Sequence, residues 1–110
     1  MTPFRAGDVV TGLFSGAVTD KSRPAVVVSS GVYHDNRPDV VLCFLTTQVA
    51  GATSPTDYVL FDWRTAGLNQ PCAFRAFFVT SRKSEVTKIG RLSDADWREV
   101  QARLQLALDV

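Results

Sequence analysis

The stretch Arg23-Pro24-Ala25-Val26-Val27-Val28 decides how the rest of this chain folds. Pro24 has no amide hydrogen, so it fits only the first position of a strand or a sheet edge. The apolar residues after it do not alternate with polar ones, which predicts a strand buried on both faces. Arg23 would then lie at the end of a rigid strand, where its planar set of donors suits a phosphate or a carboxylate. An ordinary surface arginine gives the same pattern, so the motif alone leaves both interpretations open.

Most of the remaining chain has the composition of short strands. Asp8–Phe14 predicts a first strand, and Asp39–Thr46 is apolar throughout, which predicts a central one. We predict further strands at Tyr58–Phe61, Ala73–Val79 and Glu85–Ile89. Polar, turn-forming stretches predict loops at 15–22, 31–38 and 47–56.

The last segment has the pattern of a helix. Ser93 is a suitable N-cap, and Asp96 three residues later resembles a capping box. An apolar stripe at helical spacing follows, made of Trp97, Val100, Leu104 and Ala107. Five or six strands and one terminal helix indicate a mainly β fold, either a small barrel or a strongly bent sheet capped by the helix. We expect a single domain over residues 1–110.

Charge is balanced overall but not along the chain. The formal net charge of the 110 residues is +1, which favours no particular class of partner. Between residues 64 and 91, however, six basic residues stand against Glu85 alone, and six minus one leaves +5. A local excess of this kind is the electrostatic footprint of a phosphate-binding face, although solvated surface shows it as well.

Cysteine and histidine usage indicates the compartment and argues against a metal site. Cys43 and Cys72 are each flanked by apolar residues, which predicts buried, reduced thiols in a cytoplasmic protein. No apolar run approaches the length of a membrane-spanning helix. With one histidine and no Cys-x-x-Cys, we expect neither a metal site nor a cofactor.

Two other features could carry chemistry. His34 could act as a general base near neutral pH, but a lone histidine among turn-forming residues is more often an exposed loop residue, which is what we predict. Thr46-Thr47-Gln48 ends an apolar strand with two hydroxyls and an amide. Such groups can donate to a developing oxyanion, or they can simply satisfy a turn.

Several short motifs follow one another along nearly the whole chain: Gly7-Asp8-Val9-Val10, Lys21-x-Arg23-Pro24, Leu45-Thr46-x-Gln48, Ala66-Gly67-Leu68 and Ile89-Gly90-x-Leu92-Ser93. In order and spacing they resemble the MazF/PemK family of toxin ribonucleases. The resemblance implies a small SH3-like barrel of five to seven strands with a C-terminal helix, usually as a homodimer. It also implies metal-independent cleavage of single-stranded RNA at short sequences, and a cognate MazE/PemI-like antitoxin.

The resemblance assigns catalytic positions to Arg23 and Thr46. It implies that the ribose 2′-hydroxyl attacks the adjacent phosphorus and expels the 5′-oxygen, leaving a 2′,3′-cyclic phosphate. Arg23 would stabilise the pentavalent phosphorane, and Thr46 would donate to a non-bridging oxygen. For RNA binding we predict Lys21, Thr47, Gln48, Arg75, Arg82 and Lys83.

The chain departs from the family pattern at two positions. Phe77 stands where some members carry an acidic residue two positions after a basic one, here Arg75. Cys72 stands where members commonly have serine, so a weaker donor replaces a hydroxyl. Phe74, Phe77 and Phe78 could stack on bases, but a small barrel needs at least half of them in its core. A rival interpretation therefore keeps the barrel without catalysis, as a binding module such as a CcdB-like gyrase inhibitor.

Overall fold

The computed structural model describes residues 4–14 and 21–110, with Phe14 and Lys21 described through their backbone alone. Six antiparallel strands form one curled sheet in the order β4-β5-β3-β2-β1-β6. The strands are β1 (Asp8–Phe14), β2 (Lys21–Val27), β3 (Asp39–Thr46), β4 (Tyr58–Val59), β5 (Ala73–Arg82) and β6 (Val86–Arg91). Helix α1 (Gly31–Asn36) follows β2, and helix α2 (Asp94–Leu108) follows β6. The predicted mainly β fold with a C-terminal helix is confirmed.

The pairing of β2 explains why a proline is tolerated inside a strand. Pro24 pairs with Thr11 of β1, but β3 pairs only with the later part of β2, from Ala25 to Val27. The first half of β2 therefore has an edge that faces β3 without bonding to it, and a residue without an amide hydrogen fits there. As predicted, Ala25, Val26 and Val27 have no exposed surface. Val28 is only partly buried and follows the end of β2, so the predicted strand was one residue too long at this end.

Each face of the sheet carries its own hydrophobic core. On the face covered by α2, the buried cluster includes Val9, Val26, Cys43, Leu45, Phe74 and Val100. On the opposite face, a smaller cluster is formed by Phe4, Val10, Ala25, Val27, Val40, Leu42 and Val86. Alternate residues of β2 and β3 belong to different clusters, which is why both strands read as continuous apolar runs.

Several predicted boundaries were wrong. Strand β2 begins at Lys21 rather than Pro24, β4 ends at Val59, and β5 continues to Arg82. The stretch 31–38 contains helix α1, whose N-cap Ser30 accepts a hydrogen bond from the Tyr33 amide at 3.3 Å. Single 3₁₀ turns occupy Val49–Gly51 and Lys83–Glu85, so β6 starts at Val86 and ends at Arg91. Most of the loop predicted over 15–22, residues 15–20, lies outside the described part of the chain.

Helix α2 begins at the predicted cap but uses Asp96 differently. The Ser93 hydroxyl oxygen accepts from the Asp96 amide at 3.1 Å. The Asp96 carboxylate is fully buried and accepts instead from the Tyr58 hydroxyl (2.6 Å) and from the Phe61 (3.1 Å) and Asp62 (2.8 Å) amides. Asp96 thus fixes the segment after β4 to the helix. Burial and the bond to Asp96 raise the pKa of Tyr58.

The apolar stripe of α2 is shorter than predicted. Val100 is buried, and Trp97 and Leu104 pack against the core, but Ala107 is exposed. Neither described helix is long and apolar enough to cross a membrane.

Two glycines from the sequence motifs lie where two backbones cross. A Cβ atom on Gly67 would be 2.2 Å from the Ile89 carbonyl oxygen, and one on Gly90 would be 2.2 Å from the Ala66 carbonyl oxygen. Gly67 also has a φ of +83°, which side chains rarely adopt. These contacts bring the turn after β4 against β6, where a register shift interrupts the pairing of β6 with β1.

His34 is buried, so the prediction of an exposed loop histidine was wrong. Its Nδ1 lies 3.1 Å from the Phe4 carbonyl oxygen, and its Nε2 lies 2.6 Å from the Ser29 hydroxyl oxygen. A carbonyl only accepts, so Nδ1 carries a hydrogen and donates it. The Ser29 hydroxyl oxygen also accepts from the Val41 amide at 2.9 Å. The imidazole therefore joins helix α1 to the N-terminal segment and, through Ser29, to β3.

Candidate active site

A pocket of about 210 Å³ opens where β2 separates from β3. We call it the arginine pocket. It is lined by Arg23 from β2, by Phe44, Leu45 and Thr46 from β3, and by Arg75 and Phe77 from β5. Arg23 and Thr46 come from separate motifs, 23 positions apart in the chain. The structure brings both into one pocket and adds Arg75, which was predicted on charge.

A bulge in β5 turns Arg75 and Phe77 toward this pocket. In the pairing of β3 with β5, Cys43 lies opposite Phe78, whereas Leu45 lies opposite Phe74. Three residues of β5 therefore face one residue of β3. Bulges of this kind redirect side chains and are common beside active sites. Phe77 is 59% exposed, whereas Phe74 is fully buried, so the phenylalanines divide between surface and core as predicted.

The two arginines of the pocket have no acidic partner in the described part of the chain. Within residues 4–14 and 21–110, neither the Arg23 nor the Arg75 guanidinium makes a hydrogen bond or an ion pair. The Arg23 guanidinium carbon lies 6.0 Å from the centre of the Phe44 ring, and this ring lies 5.4 Å from that of Phe77. Stacking on an aromatic face orients a guanidinium while leaving its donors free. Two such cations side by side favour an anionic ligand.

Thr46 adds a hydroxyl to the same pocket. Its hydroxyl oxygen accepts from the Gln48 amide at 3.1 Å, which fixes the oxygen at the end of β3. A hydroxyl can accept and donate at once, so its hydrogen remains available. Gln48 is exposed and contributes this backbone contact, while Thr47 lines a different pocket.

The other predicted RNA-binding residues are scattered. Arg82 lines a groove of about 690 Å³ that shares Phe44 and Phe77 with the arginine pocket and so continues from it. Lys83 is partly buried, and its ammonium donates to the His34 carbonyl oxygen at 2.7 Å. The side chain of Lys21 lies outside the described part of the structure.

Two further cations of the basic stretch hold the fold together. Lys88 Nζ and Arg91 Nη1 lie 3.4 and 3.1 Å from one oxygen of the buried Asp8 carboxylate. Arg91 also donates to the Ala6 carbonyl oxygen at 2.8 Å. The basic excess that the sequence shows between residues 64 and 91 is therefore partly structural.

The two cysteines are free and buried, as predicted. Burial raises the pKa of Cys43 to about 12 and also raises that of Cys72. Thiols with raised pKa values are poor nucleophiles at neutral pH. Among the described residues, no group of three or more histidine, cysteine, aspartate or glutamate side chains is placed to hold a metal ion.

Sequence reasoning missed Phe44, because an aromatic residue in a continuous apolar strand predicts a core position. Its pairing with Ala25 of β2, two residues after Arg23, brings the ring beside the Arg23 guanidinium, and Phe44 lies where the β5 bulge interrupts the pairing with β5. The sequence carried no signal for that bulge.

The fold and the pocket define a class: a small β protein whose curled sheet carries two arginines and a threonine hydroxyl in one pocket. The family model of the PemK-like, MazF-like toxins of type II toxin–antitoxin systems matches residues 5–108. The chain belongs to this family, and the resemblance seen in its motifs is confirmed. No curated protein sequence matches the chain.

Solved structures from two bacterial groups share the fold over nearly their whole length. An endoribonuclease in complex with its cognate antitoxin, from a mycobacterial species, is 22% identical, with a TM-score of 0.77 and coverage of 100% of this chain and 97% of that one. The toxin MazF-mt6 of Mycobacterium tuberculosis is 20% identical, with a TM-score of 0.75 and coverage of 94% and 97%. A MazE–MazF structure from Deinococcus radiodurans is 19% identical, with a TM-score of 0.77 and coverage of 100% and 99%. At such identities the likeness establishes the fold.

Proposed function

We propose that this protein is a toxin endoribonuclease that cleaves single-stranded RNA at short sequences in the cytoplasm, without a metal ion. The observation that carries the proposal is the arginine pocket, in which Arg23, Arg75 and the Thr46 hydroxyl line one cavity. Membership of the toxin family and structural neighbours described as endoribonucleases support it.

The proposed reaction is a transesterification within the RNA. The ribose 2′-oxygen forms a bond to the adjacent phosphorus, and the bond from phosphorus to the 5′-oxygen breaks. The 2′-hydroxyl loses one proton and the departing 5′-oxygen gains one, so the products are a 2′,3′-cyclic phosphate and a 5′-hydroxyl. Arg23 and Arg75 stabilise the charge of the phosphorane, and Thr46 donates to a non-bridging oxygen. Because arginine stays protonated, charge stabilisation is the role we give Arg23.

We also propose a homodimer and a MazE/PemI-like antitoxin as partners. Two structural neighbours are complexes of a toxin with its antitoxin, which supports the second partner. Leu13 and Phe77 are 71% and 59% exposed and border the same groove as Arg82. Exposed apolar side chains beside the arginine pocket suit an extended antitoxin segment that would cover the RNA site.

A defined single-stranded oligoribonucleotide, incubated with purified protein in excess EDTA, tests the proposed reaction. We expect cuts at particular sequences that end in a 2′,3′-cyclic phosphate, detected by mass spectrometry. A matched oligonucleotide with one 2′-deoxyribose at the cut should remain intact, because the nucleophile is missing. RNA that stays whole while the protein binds DNA gyrase would contradict the proposal and favour the rival binding module.

Replacing His34 by alanine should lower the stability of the protein without changing its catalytic activity. The substitution removes a buried ring with two hydrogen bonds, so we expect a loss of about 2 to 3 kcal/mol in the free energy of unfolding in urea. His34 is not among the residues that line the arginine pocket, so kcat/KM should stay within about twofold of wild type while the protein is folded. Val32→Ala, at a 75% exposed site in the same helix, is the control for stability. A folded His34→Ala protein without activity would instead indicate a histidine-dependent enzyme.

A further inference from the structure

A second pocket, of about 360 Å³, lies beside the arginine pocket. We call it the amide pocket, because the Asn69 and Gln70 side chains line it together with the Ser22 and Thr47 hydroxyls. Pro24 and Leu68 add apolar surface. None of the described residues that line it carries a charge. Its chemistry therefore differs from that of the arginine pocket, which contains two guanidinium groups.

The two pockets share two strand ends. Arg23 lines the arginine pocket and Pro24 the amide pocket, and Thr46 and Thr47 divide in the same way. Thr47 lies just beyond the end of β3, and Pro24 lies just before the part of β2 that pairs with β3. Consecutive α-carbons are about 3.8 Å apart. A ligand held at the arginine pocket therefore has the amide pocket within one residue of chain on both strands.

The amide pocket suits a flat, uncharged group with hydrogen-bonding edges. In the described part of the chain, the side chains of Thr47, Asn69 and Gln70 bond to no other protein group. Each amide offers a donor and an acceptor side by side, the arrangement that pairs with the edge of a nucleobase. Proteins read single-stranded RNA by such contacts to unstacked bases. A volume of about 360 Å³ lies within the range of pockets that enclose small ligands.

The turn at residues 63–67, which directly precedes the segment with the two amides, is held in place from several sides. The Gly67 amide donates to the Arg64 carbonyl oxygen at 3.0 Å, and the Leu68 amide donates to that of Trp63 at 3.2 Å. The crossing of the Gly67 backbone with Ile89 fixes the turn against β6. Binding groups on a rigid support lose little conformational freedom when a ligand arrives, which favours a specific contact.

We infer that the amide pocket binds one nucleobase next to the scissile phosphate and that Asn69 and Gln70 set the base required at that position. The inference rests on the proposed endoribonuclease function. It names the part of the chain that selects the cleavage sequence, whereas Arg23, Arg75 and Thr46 contact a phosphate that every RNA sequence contains.

The test compares cleavage specificity between wild type and the double variant Asn69→Ala/Gln70→Ala. A pool of RNA with randomised sequence around the cut is digested, and kcat/KM is obtained for each sequence from the sequenced products. We expect kcat/KM for the preferred sequence to fall by about ten- to a hundredfold and to change little for disfavoured ones. The preference should disappear at one position next to the cut. Gln105→Ala, an exposed glutamine of α2, should cut like wild type.

Substitutions that keep the shape provide a second readout. Asn69→Asp and Gln70→Glu replace each amide donor by an acceptor, so the preferred base at that position should change rather than merely weaken. A purely structural role of the turn would lower the rate for all sequences equally and would leave the preferred base unchanged.

The outcomes distinguish this inference from the function on which it rests. If the wild type cuts RNA and the double variant has the same specificity, the amide pocket does not select the base. The proposed endoribonuclease function is then unaffected. If the wild type cuts no RNA, the proposed function is wrong. Binding of a base in the amide pocket can still be tested directly. The ¹⁵N-labelled side-chain amides of Asn69 and Gln70 are then followed by NMR during titration with a single-stranded oligoribonucleotide. Shifts at both amides support a base-binding pocket, and unmoved signals overturn it.

Discussion

Replacing Arg23 by alanine should lower kcat for RNA cleavage by about 10²- to 10³-fold, the usual cost of one transition-state donor. The effect should be confined to catalysis, because the Arg23 side chain is exposed and bonds to no other described residue. The free energy of unfolding should stay within about 0.5 kcal/mol of wild type. Single-turnover cleavage of a labelled oligoribonucleotide measures the rate, and urea unfolding measures the stability.

The chain offers a close control for this substitution. Arg64 is also exposed and stacks on an aromatic ring, with its guanidinium carbon 4.6 Å from the centre of the Trp63 ring. It does not line the arginine pocket, so Arg64→Ala should cut RNA at the wild-type rate. Arg23→Lys keeps the charge but loses the planar fork, and it should fall between alanine and wild type. Equal cleavage rates for Arg23→Ala and Arg64→Ala would show that Arg23 has no catalytic role.

Much of the fold could be predicted from local sequence alone. Continuous apolar runs identified β3 with its correct bounds and the buried part of β2, because a strand between two cores needs apolar side chains on both faces. Helix α1 could not be predicted in this way. It has a single buried residue, His34, and its cap at Ser30 is indistinguishable from a turn residue. Strand β4 ended early because Asp96, distant in sequence, binds the amides of Phe61 and Asp62.

The candidate site was only partly accessible from sequence. Arg23 and Thr46 were identified because their motifs resemble those of a family. Local sequence patterns alone do not show that these two residues lie close together in the fold. The orientation of Arg75 depends on a register shift between β3 and β5, which no single segment specifies. The amide pocket requires the turn around Gly67 to lie against β6, and that contact joins positions far apart in the chain. Sequence reasoning fails wherever the geometry depends on two strands at once.

That same contact gives the second large expected effect, because Gly67→Ala should destabilise the fold strongly. The new Cβ would lie 2.2 Å from the Ile89 carbonyl oxygen, and the backbone would have to keep a φ of +83°. The two effects together should cost about 3 kcal/mol or more, which in a domain of this size lowers the melting temperature by about 10 to 20 °C. Differential scanning calorimetry measures the change.

Gly90→Ala tests the same crossing from the other strand. Its Cβ would lie 2.2 Å from the Ala66 carbonyl oxygen, but no unusual φ is involved, so its cost isolates the clash between backbones from the strain at Gly67. Gly51→Ala is the control, because a Cβ there meets nothing within 4 Å, and its stability should change by less than about 0.5 kcal/mol. If all three variants melted together with wild type, the turn would not be pressed against β6. The rigid support that we assign to Asn69 and Gln70 would then be lost, since the crossing is what fixes the turn beside the amide pocket.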